Sequence, residues 1–505
     1  MSDAELILIA GALMAAGLAA SLAADRLRVP GLVLFLGIGM AIGSDGTGWI
    51  DFDDYELART IGVIALALIL FEGGLSAGFG EIRPVLGPAV SLAFVGTLVT
   101  ALIAGLAAYA LFNLTLLEGL LLGSIVSATD GAAIFALLRG SSLHRRVART
   151  LEGESGLNDP LAVLLVIGLI DWIQRPGYGF GDMALLLARE LGIGLGIGLG
   201  VGWIAIQGLR RVRFRAEPAY LIGTLSVAAV AYGAAATLHG SGFLAVYLAG
   251  LTLGSVPFPA QRGVVIFHQG LAGLAQVVMF LVLGLLVFPS QLGGVALEGT
   301  ALALVLVFLA RPLATFVATV LGQFELREQG VLAWAGLRGA VPVVLATFPV
   351  IAEVPHSLDF FNIVFFAVVL STLVQGGTFE PVVRAVGVTT SEDEATVRPR
   401  PISPLRSIAQ ISTTRPWDAG EGSPAYPREV SGIPVTEQLL TRMDEPAALV
   451  RLADGRYAFT GSVVSVGSAR SLQATARRRL ARSTSAADRE WWREVIGTLA
   501  RGSAW

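Results

Sequence analysis

From residue 5 to residue 386 the chain is a succession of apolar runs, each about as long as a bilayer's hydrocarbon core is thick. A helix needs about 20 apolar residues to cross that core. About thirteen runs meet the requirement, near 5–24, 30–44, 58–76, 85–112, 115–138, 154–173, 184–209, 217–238, 241–256, 263–288, 296–322, 328–350 and 360–386. A soluble domain carries roughly 25% charged residues; here the share is 14%, against 54% hydrophobic. The expected class is therefore an all-α polytopic membrane protein. The formal net charge of −3 gives no reason to expect a nucleic-acid partner, and the absence of cysteine excludes disulfides, thiol catalysis and thiolate metal sites. No lysine occurs, so every basic side chain other than histidine is arginine. The N-terminal Met-Ser-Asp-Ala-Glu lacks the basic region of a secretory signal, which predicts that the first apolar run is a retained helix.

Loop charges orient the spans. Arg26, Arg28, Arg83, Arg139, Arg145, Arg146, Arg149, Arg210, Arg211, Arg213, Arg215, Arg262, Arg327 and Arg384 fall on one side. Asp45, Asp51, Asp53, Asp54, Asp171, Asp182, Glu353 and Asp359 dominate the other, with Arg59 and Arg175 as exceptions. The positive-inside rule then places the N-terminus outside and the C-terminus in the cytoplasm, which requires an odd number of spans.

Two spans are interrupted. The fifth contains Ser127-Ala-Thr129-Asp130-Gly131 and the twelfth contains Gly336-Leu-Arg338-Gly339-Ala-Val-Pro342. Polar residues with Gly and Pro in mid-membrane predict broken helices whose freed backbone groups are met by protein or by a wet cavity. The two spans are seven apart. With the seventh span as linker, spans 1–6 and 8–13 become halves of opposite topology, and paired interruptions in such halves point to a transport site. The run from Gly192 to Gly202 within the seventh span is read as close helix packing rather than phosphate binding.

The sixth span opens on Glu154-Ser155-Gly-Leu-Asn158-Asp159-Pro160, polar and acidic groups at the head of an apolar run. Such groups are expensive in hydrocarbon and are usually functional there. Pro160 suits the first turn of a helix, so this helix is expected to start near Asn158, with Asp159 at its anion-stabilising end. A carboxylate in a dry bundle holds either a proton or a cation. Asp159, together with the Thr129 hydroxyl and the carbonyls freed at the break of span five, supplies hard oxygen ligands suited to Na⁺ or K⁺, with Asp130 next to Thr129. The plainer alternative, in which Asp159 only caps the helix, is weakened by the matched break in span five. Asp130 is expected to neutralise half-helix N-termini or to face Arg338. Glu154 and Arg338 are expected to form a buried ion pair that tunes Asp159, and Glu72 and Arg311 a second, structural one. His144, His239, His268 and His356 are scattered, mostly near expected loops, and show no zinc-binding spacing; no Walker loop or Gly-x-Ser-x-Gly motif occurs.

After Val388 the composition changes. Residues 389–430 are rich in Pro, Ser, Thr and Arg and read as a linker after a transmembrane domain spanning 1–388. Residues 431–505 read as a small α/β module, regulatory or accessory. Strands are expected at 447–452, 456–459 and 463–466, then a basic helix from Ser468 to Arg482 and a last helix carrying Trp491 and Trp492.

Ala128-Thr129-Asp130-Gly-Ala-Ala-Ile-Phe, Leu151-Glu-Gly-Glu154-Ser155-Gly-Leu-Asn158-Asp159-Pro160, Gly336-Leu-Arg338-Gly-Ala-Val-Pro and Phe71-Glu72-Gly-Gly-Leu together resemble the monovalent cation/proton antiporter-1 family over about residues 1–388. The resemblance implies thirteen helices in inverted repeats, a homodimer in the inner or plasma membrane, elevator-like alternating access, and no cofactor beyond the transported ions. It implies that Asp159 binds cation or proton with Asn158 beside it, and that an Asn-Asp pair goes with electroneutral one-for-one exchange. Thr129, Asp130, Glu154 and Ser155 match the family's ion-site positions, and Arg338 its partner for Glu154. Thr-Asp-Gly in place of Thr-Asp-Pro, with Phe361-Asn-Ile-Val-Phe-Phe and Leu373-Val-Gln375-Gly, looks more like the CvrA-like potassium/proton subgroup than the sodium/proton members. That subgroup carries a cytoplasmic regulatory domain. Here the corresponding tail lacks a nucleotide-binding Gly pattern, and its ligand stays open. A cation channel is the rival reading; an intramembrane aspartyl protease is disfavoured because Asp130 and Asp159 lack a Gly-x-Gly-Asp context.

Overall fold

A backbone N–H or C=O left unpaired in hydrocarbon costs roughly several kcal/mol, so apolar runs of this length cross as helices or closed barrels. Among the described residues, the computed structural model of the protein is helical in these runs apart from short non-helical segments. It describes residues 3–27, 30–130, 143–211, 217–320, 322, 324–388, 429–430, 433–442, 447–452, 457–460, 465–467 and 495–496. The helices are α1 (Asp3–Leu27), α2 (Gly31–Ile42), α3 (Tyr55–Ile82), α4 (Leu86–Ser91), α5 (Thr97–Leu111), α6 (Leu116–Ile125), α7 (Arg145–Gln174), α8 (Phe180–Arg211) and α9 (Glu217–Thr237). There follow α10 (Gly242–Gly254), α11 (Gln261–Leu285), α12 (Pro289–Leu292), α13 (Ala296–Val305), α14 (Arg311–Thr319), α15 (Leu326–Trp334), α16 (Ala340–Ile351), α17 (Ser357–Ser371) and α18 (Gly377–Val386). Three π turns join consecutive helices: Leu92–Gly96 before α5, Leu306–Ala310 before α14 and Thr372–Gly376 before α18.

Among the described residues, seven helical stretches are long and apolar enough to cross a membrane, and five shorter apolar helices accompany them. The longest stretch, Tyr55–Leu111, covers two of the expected spans, divided by the tight turn Arg83–Val85 at Pro84. Local signals start several helices. The Asp54 carboxylate accepts from the Leu57 N–H at 2.8 Å to cap α3. Thr115 and Glu118 form a capping box at the head of α6.

One expected boundary is corrected. The sixth span does not begin near Asn158; α7 begins at Arg145 and carries Pro160 in its interior. Pro160 has no N–H to give the Gly156 carbonyl four residues earlier, which normally weakens a helix. Membrane helices tolerate this where neighbours satisfy the freed group. Asn158 and Asp159 are thus mid-helix groups rather than a helix start.

Glycine sets the closest helix contact. On α3 and α10, a Cβ at Gly74, Gly250 or Gly254 would meet the partner's backbone at Tyr247, Phe71 and Leu75 respectively. Within the glycine run of α8, Gly194 faces Ser241, which caps α10, and Gly198 and Gly202 face Ala245 and Thr252 of α10, in keeping with the packing role expected for it. α3 bends at Gly78, whose φ of +62° suits glycine, and the Phe79 N–H beyond the bend donates to the Ser255 hydroxyl at 2.7 Å. Phe71, Phe280, Phe360, Phe361 and Phe365 are among the large side chains buried in the core of the helical unit.

A second compact unit, residues 399–505, contains five strands: β1 (Glu429–Val430), β2 (Ile433–Arg442), β3 (Ala447–Leu452), β4 (Tyr457–Thr460) and β5 (Ser465–Gly467). They pair in sequence order as an antiparallel meander. β3, β4 and β5 lie at or within two residues of the expected strands. β2 was not expected. Its pairing with β3 shifts register twice, between Val435 and Glu437 and between Gln438 and Leu440, and such bulges break the period-two alternation that marks a strand. The expected helices over 468–482 and around Trp491 lie outside the described residues, as do most of the linker and the second half of span five.

Candidate cation site

The described part of span five ends in a non-helical segment, span twelve is broken, and the two segments meet. After α6 the chain is non-helical from Val126 to Asp130; between α15 and α16 it is non-helical from Ala335 to Gly339. The Asp130 N–H donates to the Leu337 carbonyl at 3.0 Å, tying the two segments together. A Cβ at Gly339 would overlap the Asp130 carboxylate, so only glycine permits this approach.

Charge is exchanged across the crossing. The Asp130 carboxylate accepts from the Ala340 N–H, at 3.4 Å, at the start of α16. Arg338 Nη1 donates to the carbonyls of Ser127 and Ala128, each at 2.8 Å, just beyond the end of α6. A helix N-terminus favours an anion and a C-terminus a cation. Each break therefore supplies the charge that the other break's half-helix requires. Of the two roles considered for Asp130, this contact is the half-helix one.

α7 passes beside the crossing. Glu154, Ser155, Asn158 and Asp159 lie within six residues, so helical periodicity puts them on adjoining faces. All four are buried. The Asn158 amide donates to the Thr129 hydroxyl, and the Thr129 and Ser155 hydroxyl oxygens lie 3.5 Å apart. Oδ1 of Asp159 and Oδ1 of Asn158 are buried and have no hydrogen-bond partner among the described residues. Asp159 lines a cavity with Ser155, Gly156 and Asp130 on one side and Leu66, Ile69, Leu70, Gly73, Tyr247, Met279, Ala340 and Val341 around the rest. The wall is apolar apart from the Ser155 hydroxyl, the Tyr247 phenol and the carboxylates. Tyr247 and Met279 were not singled out in the sequence, because aromatic and thioether side chains in apolar spans carry no distinguishing pattern.

An unpaired carboxylate oxygen in such a cavity takes up a proton or a cation. The hydroxyl and amide oxygens nearby are hard donors of the kind alkali cations prefer. Among the described residues no group of three His, Cys, Asp or Glu side chains is placed to hold a metal ion.

Both expected ion pairs are corrected. Glu154 pairs with Arg311, not with Arg338: Nη1 and Nη2 of Arg311 reach Oε1 and Oε2 of Glu154 at 2.5 and 2.8 Å. Arg338 is committed to the Ser127 and Ala128 carbonyls instead. Glu72 does not meet Arg311; its carboxylate accepts from the Ser76 hydroxyl one turn along the same helix at 2.7 Å. The reason is placement: the π turn Leu306–Ala310 ends directly before Arg311, and Arg311 itself is buried in α14 beside Glu154. His268, one of the four histidines read as scattered, is buried within α11, with Nε2 2.9 Å from the Thr224 hydroxyl and its ring against Phe71.

The model of the transmembrane sodium/hydrogen exchanger family matches residues 11–385. The chain belongs to this family. It is 40% identical over 414 residues to the K(+)/H(+) antiporter NhaP2 of Shewanella oneidensis, covering 81% of this chain and 71% of that protein. It is 39% identical over 420 residues to the K(+)/H(+) antiporter NhaP of Alkalimonas amylolytica, covering 82% and 73%. The solved sodium proton antiporter MjNhaP1 of Methanocaldococcus jannaschii superposes with a TM-score of 0.66 at 25% identity, over 76% of this chain and 99% of that one. Members of such a family are transporters rather than enzymes, and the helical unit described here shares the antiporter fold.

Proposed function

We propose that this protein is a secondary antiporter exchanging protons for a monovalent cation, K⁺ or Na⁺, with Asp159 as the shared site. The observation that carries the reading is the Asp159 carboxylate itself, buried on a cavity with one oxygen unpartnered. Ser155, Thr129 and the Asn158 side-chain oxygen complete the ligand set for the transported cation. Asp130 and Arg338 hold the crossing, and the Glu154–Arg311 pair holds α7 against α14. One carboxylate that carries either a proton or a cation exchanges one for one, which makes the cycle electroneutral. Loaded with either ion, the site is reached from alternate sides.

Thirteen spans in two inverted repeats fit this cycle. Support comes from interruptions seven spans apart: breaks in the fifth and twelfth, and π turns in the fourth and eleventh. The N-terminus lies outside, the C-terminus in the cytoplasm with residues 431–505 as an accessory or regulatory module, and the protein works as a homodimer in the inner or plasma membrane. Relatives named K(+)/H(+) antiporters favour potassium and do not favour a channel.

Everted membrane vesicles containing the protein test the reading. Proton release on adding K⁺, Na⁺ or Li⁺ is expected across several pH values. Asp159→Asn is expected to accumulate as folded protein and to lose at least nine-tenths of that release. Wild-type flux persisting in Asp159→Asn would remove Asp159 from the proposed role, and an uncoupled current through the wild type would favour the channel.

A further inference from the structure

Buried threonine hydroxyls in this protein mostly turn back on their own helix. Thr100 donates to the Gly96 carbonyl, Thr150 to Arg146, Thr319 to Thr315 and Thr347 to Val344, each three or four residues earlier. This is the ordinary outlet for a hydroxyl in an apolar helix. Thr372 departs from it. Its hydroxyl donates to the carbonyl of Arg338, 34 residues away, at 2.6 Å. Gln375, in the same π turn, behaves likewise: Nε2 donates to the Trp334 carbonyl at 3.1 Å, while its Oε1 accepts from the Ser371 hydroxyl at 2.6 Å. All three side chains are buried.

The two carbonyls so reached flank the break between α15 and α16. Trp334 is the last residue of α15, and Arg338 stands two residues before α16 begins. A broken helix leaves its carbonyls without intrahelical partners, and in a membrane they must be met by protein. We propose that Thr372 and Gln375 are positioning residues for the cation site, and that the π turn Thr372–Gly376 clamps the unwound segment from behind. This inference rests on the exchange reading above.

The coupling to the site is a chain of contacts. Thr372 holds the Arg338 backbone; the Arg338 guanidinium holds the Ser127 and Ala128 carbonyls; Thr129 follows directly and meets Asn158 and Ser155. The π turn has a physical part in this. It inserts an extra residue into the helix and rotates the side chains that follow, which is a common device at functional sites. Thr372 and Gln375 touch neither Asp159 nor the cavity, so their effect is on ligand geometry rather than on chemistry.

The test measures cation-evoked proton flux in everted vesicles for the wild type, Thr372→Val, Thr372→Ser and Gln375→Met, normalised to folded protein in the membrane. Thr372→Val keeps the shape and orphans the Arg338 carbonyl. It is expected to raise the half-saturating K⁺ or Na⁺ concentration about fivefold, as expected for one lost hydrogen bond, and to change the ratio among K⁺, Na⁺ and Li⁺. Thr372→Ser restores both, and Gln375→Met shifts them in the same direction by less. A purely structural role would lower protein amount or maximal rate while leaving half-saturation and the cation ratio at wild-type values, and that result overturns the proposal. Should Thr372→Val fail to accumulate, Gln375→Met decides by the same criterion. A wild type without cation-evoked flux sinks the exchange reading itself, whereas an active wild type with unshifted variants sinks only the clamp.

Discussion

Glu154 and Glu81 both face arginine, and they differ in almost everything else. Glu154 and Arg311 meet inside the helical unit, with side-chain exposures of 0% and 3% and both carboxylate oxygens engaged. Glu81 meets Arg145 and Arg149 at the mouth of the bundle, where the Glu81 and Arg145 side chains are 39% and 71% exposed. The same charges in hydrocarbon and at an aqueous edge are different objects. Buried, each charge depends on the other, because an uncompensated ion there is very costly. At the edge, water and salt take over most of the work. The buried pair is therefore a structural commitment, and the exposed cluster an adjustable one.

The contrast can be broken first at Arg311. Arg311→Ala should destabilise the protein by about 3–5 kcal/mol, since it leaves Glu154 buried and unpaired. The check is thermal unfolding in detergent. A double variant, Arg311→Met with Glu154→Gln, should recover most of that loss; a double variant no better than Arg311→Ala would show that the guanidinium packs rather than neutralises. At the exposed cluster, Glu81→Gln should cost about 1 kcal/mol or less, and that difference should vanish in high salt. A loss as large as that of Arg311→Ala would erase the distinction between the two sites.

The smallest effect is expected at the fully exposed Asp45, in the loop after α2. The Ser290 N–H donates to its carboxylate at 2.6 Å and holds its acidity above that of an ordinary aspartate. A lowered folded-state pKa means that the contribution is present above the unfolded value, about 3.9, and is lost as pH falls through the folded value. Asp45→Asn should therefore remove a small contribution that is present at neutral pH, so that variant and wild type differ slightly at pH 7 and converge as pH falls below about 4. A difference that persists unchanged well below pH 4 would point to a role other than this ionised loop contact.

Much of the fold is legible along the chain. Span positions follow from apolar length alone, and the observed helices start and end mostly within a few residues of where hydropathy puts them. The breaks at 126–130 and 335–339 are legible too, because Ser, Thr, Asp, Arg, Gly and Pro stand out inside apolar runs. Asn158-Asp159 stands out for the same reason. What failed was local context around Pro160. Proline serves a helix's first turn or interrupts its interior, and the two uses look alike in sequence. Only a helix extended back to Arg145 separates them.

Pairing was less legible. Arg311 and Glu72 were both recognised as charges in apolar runs, yet their partners were misassigned. Glu154 and Arg311 are 157 residues apart, and which arginine reaches Glu154 is settled by helix packing, with a π turn at 306–310 directly before Arg311. The outward reach of Thr372 and Gln375 depends on a second such turn. Nothing in composition announces a one-residue insertion in a helical ladder.

Taken alone, the sequence pointed to a helical membrane protein with two interrupted spans and a carboxylate at the head of an apolar run, because the cost of polar groups in hydrocarbon is written residue by residue. The tertiary structure decided which charge answers which among the described residues: Asp130 with the start of α16, Arg338 with the end of α6, and Arg311 with Glu154, while Oδ1 of Asp159 is left without a hydrogen bond. Those choices rest on distances of a few ångströms between segments remote in the chain, where electrostatics is decided by burial and helix register.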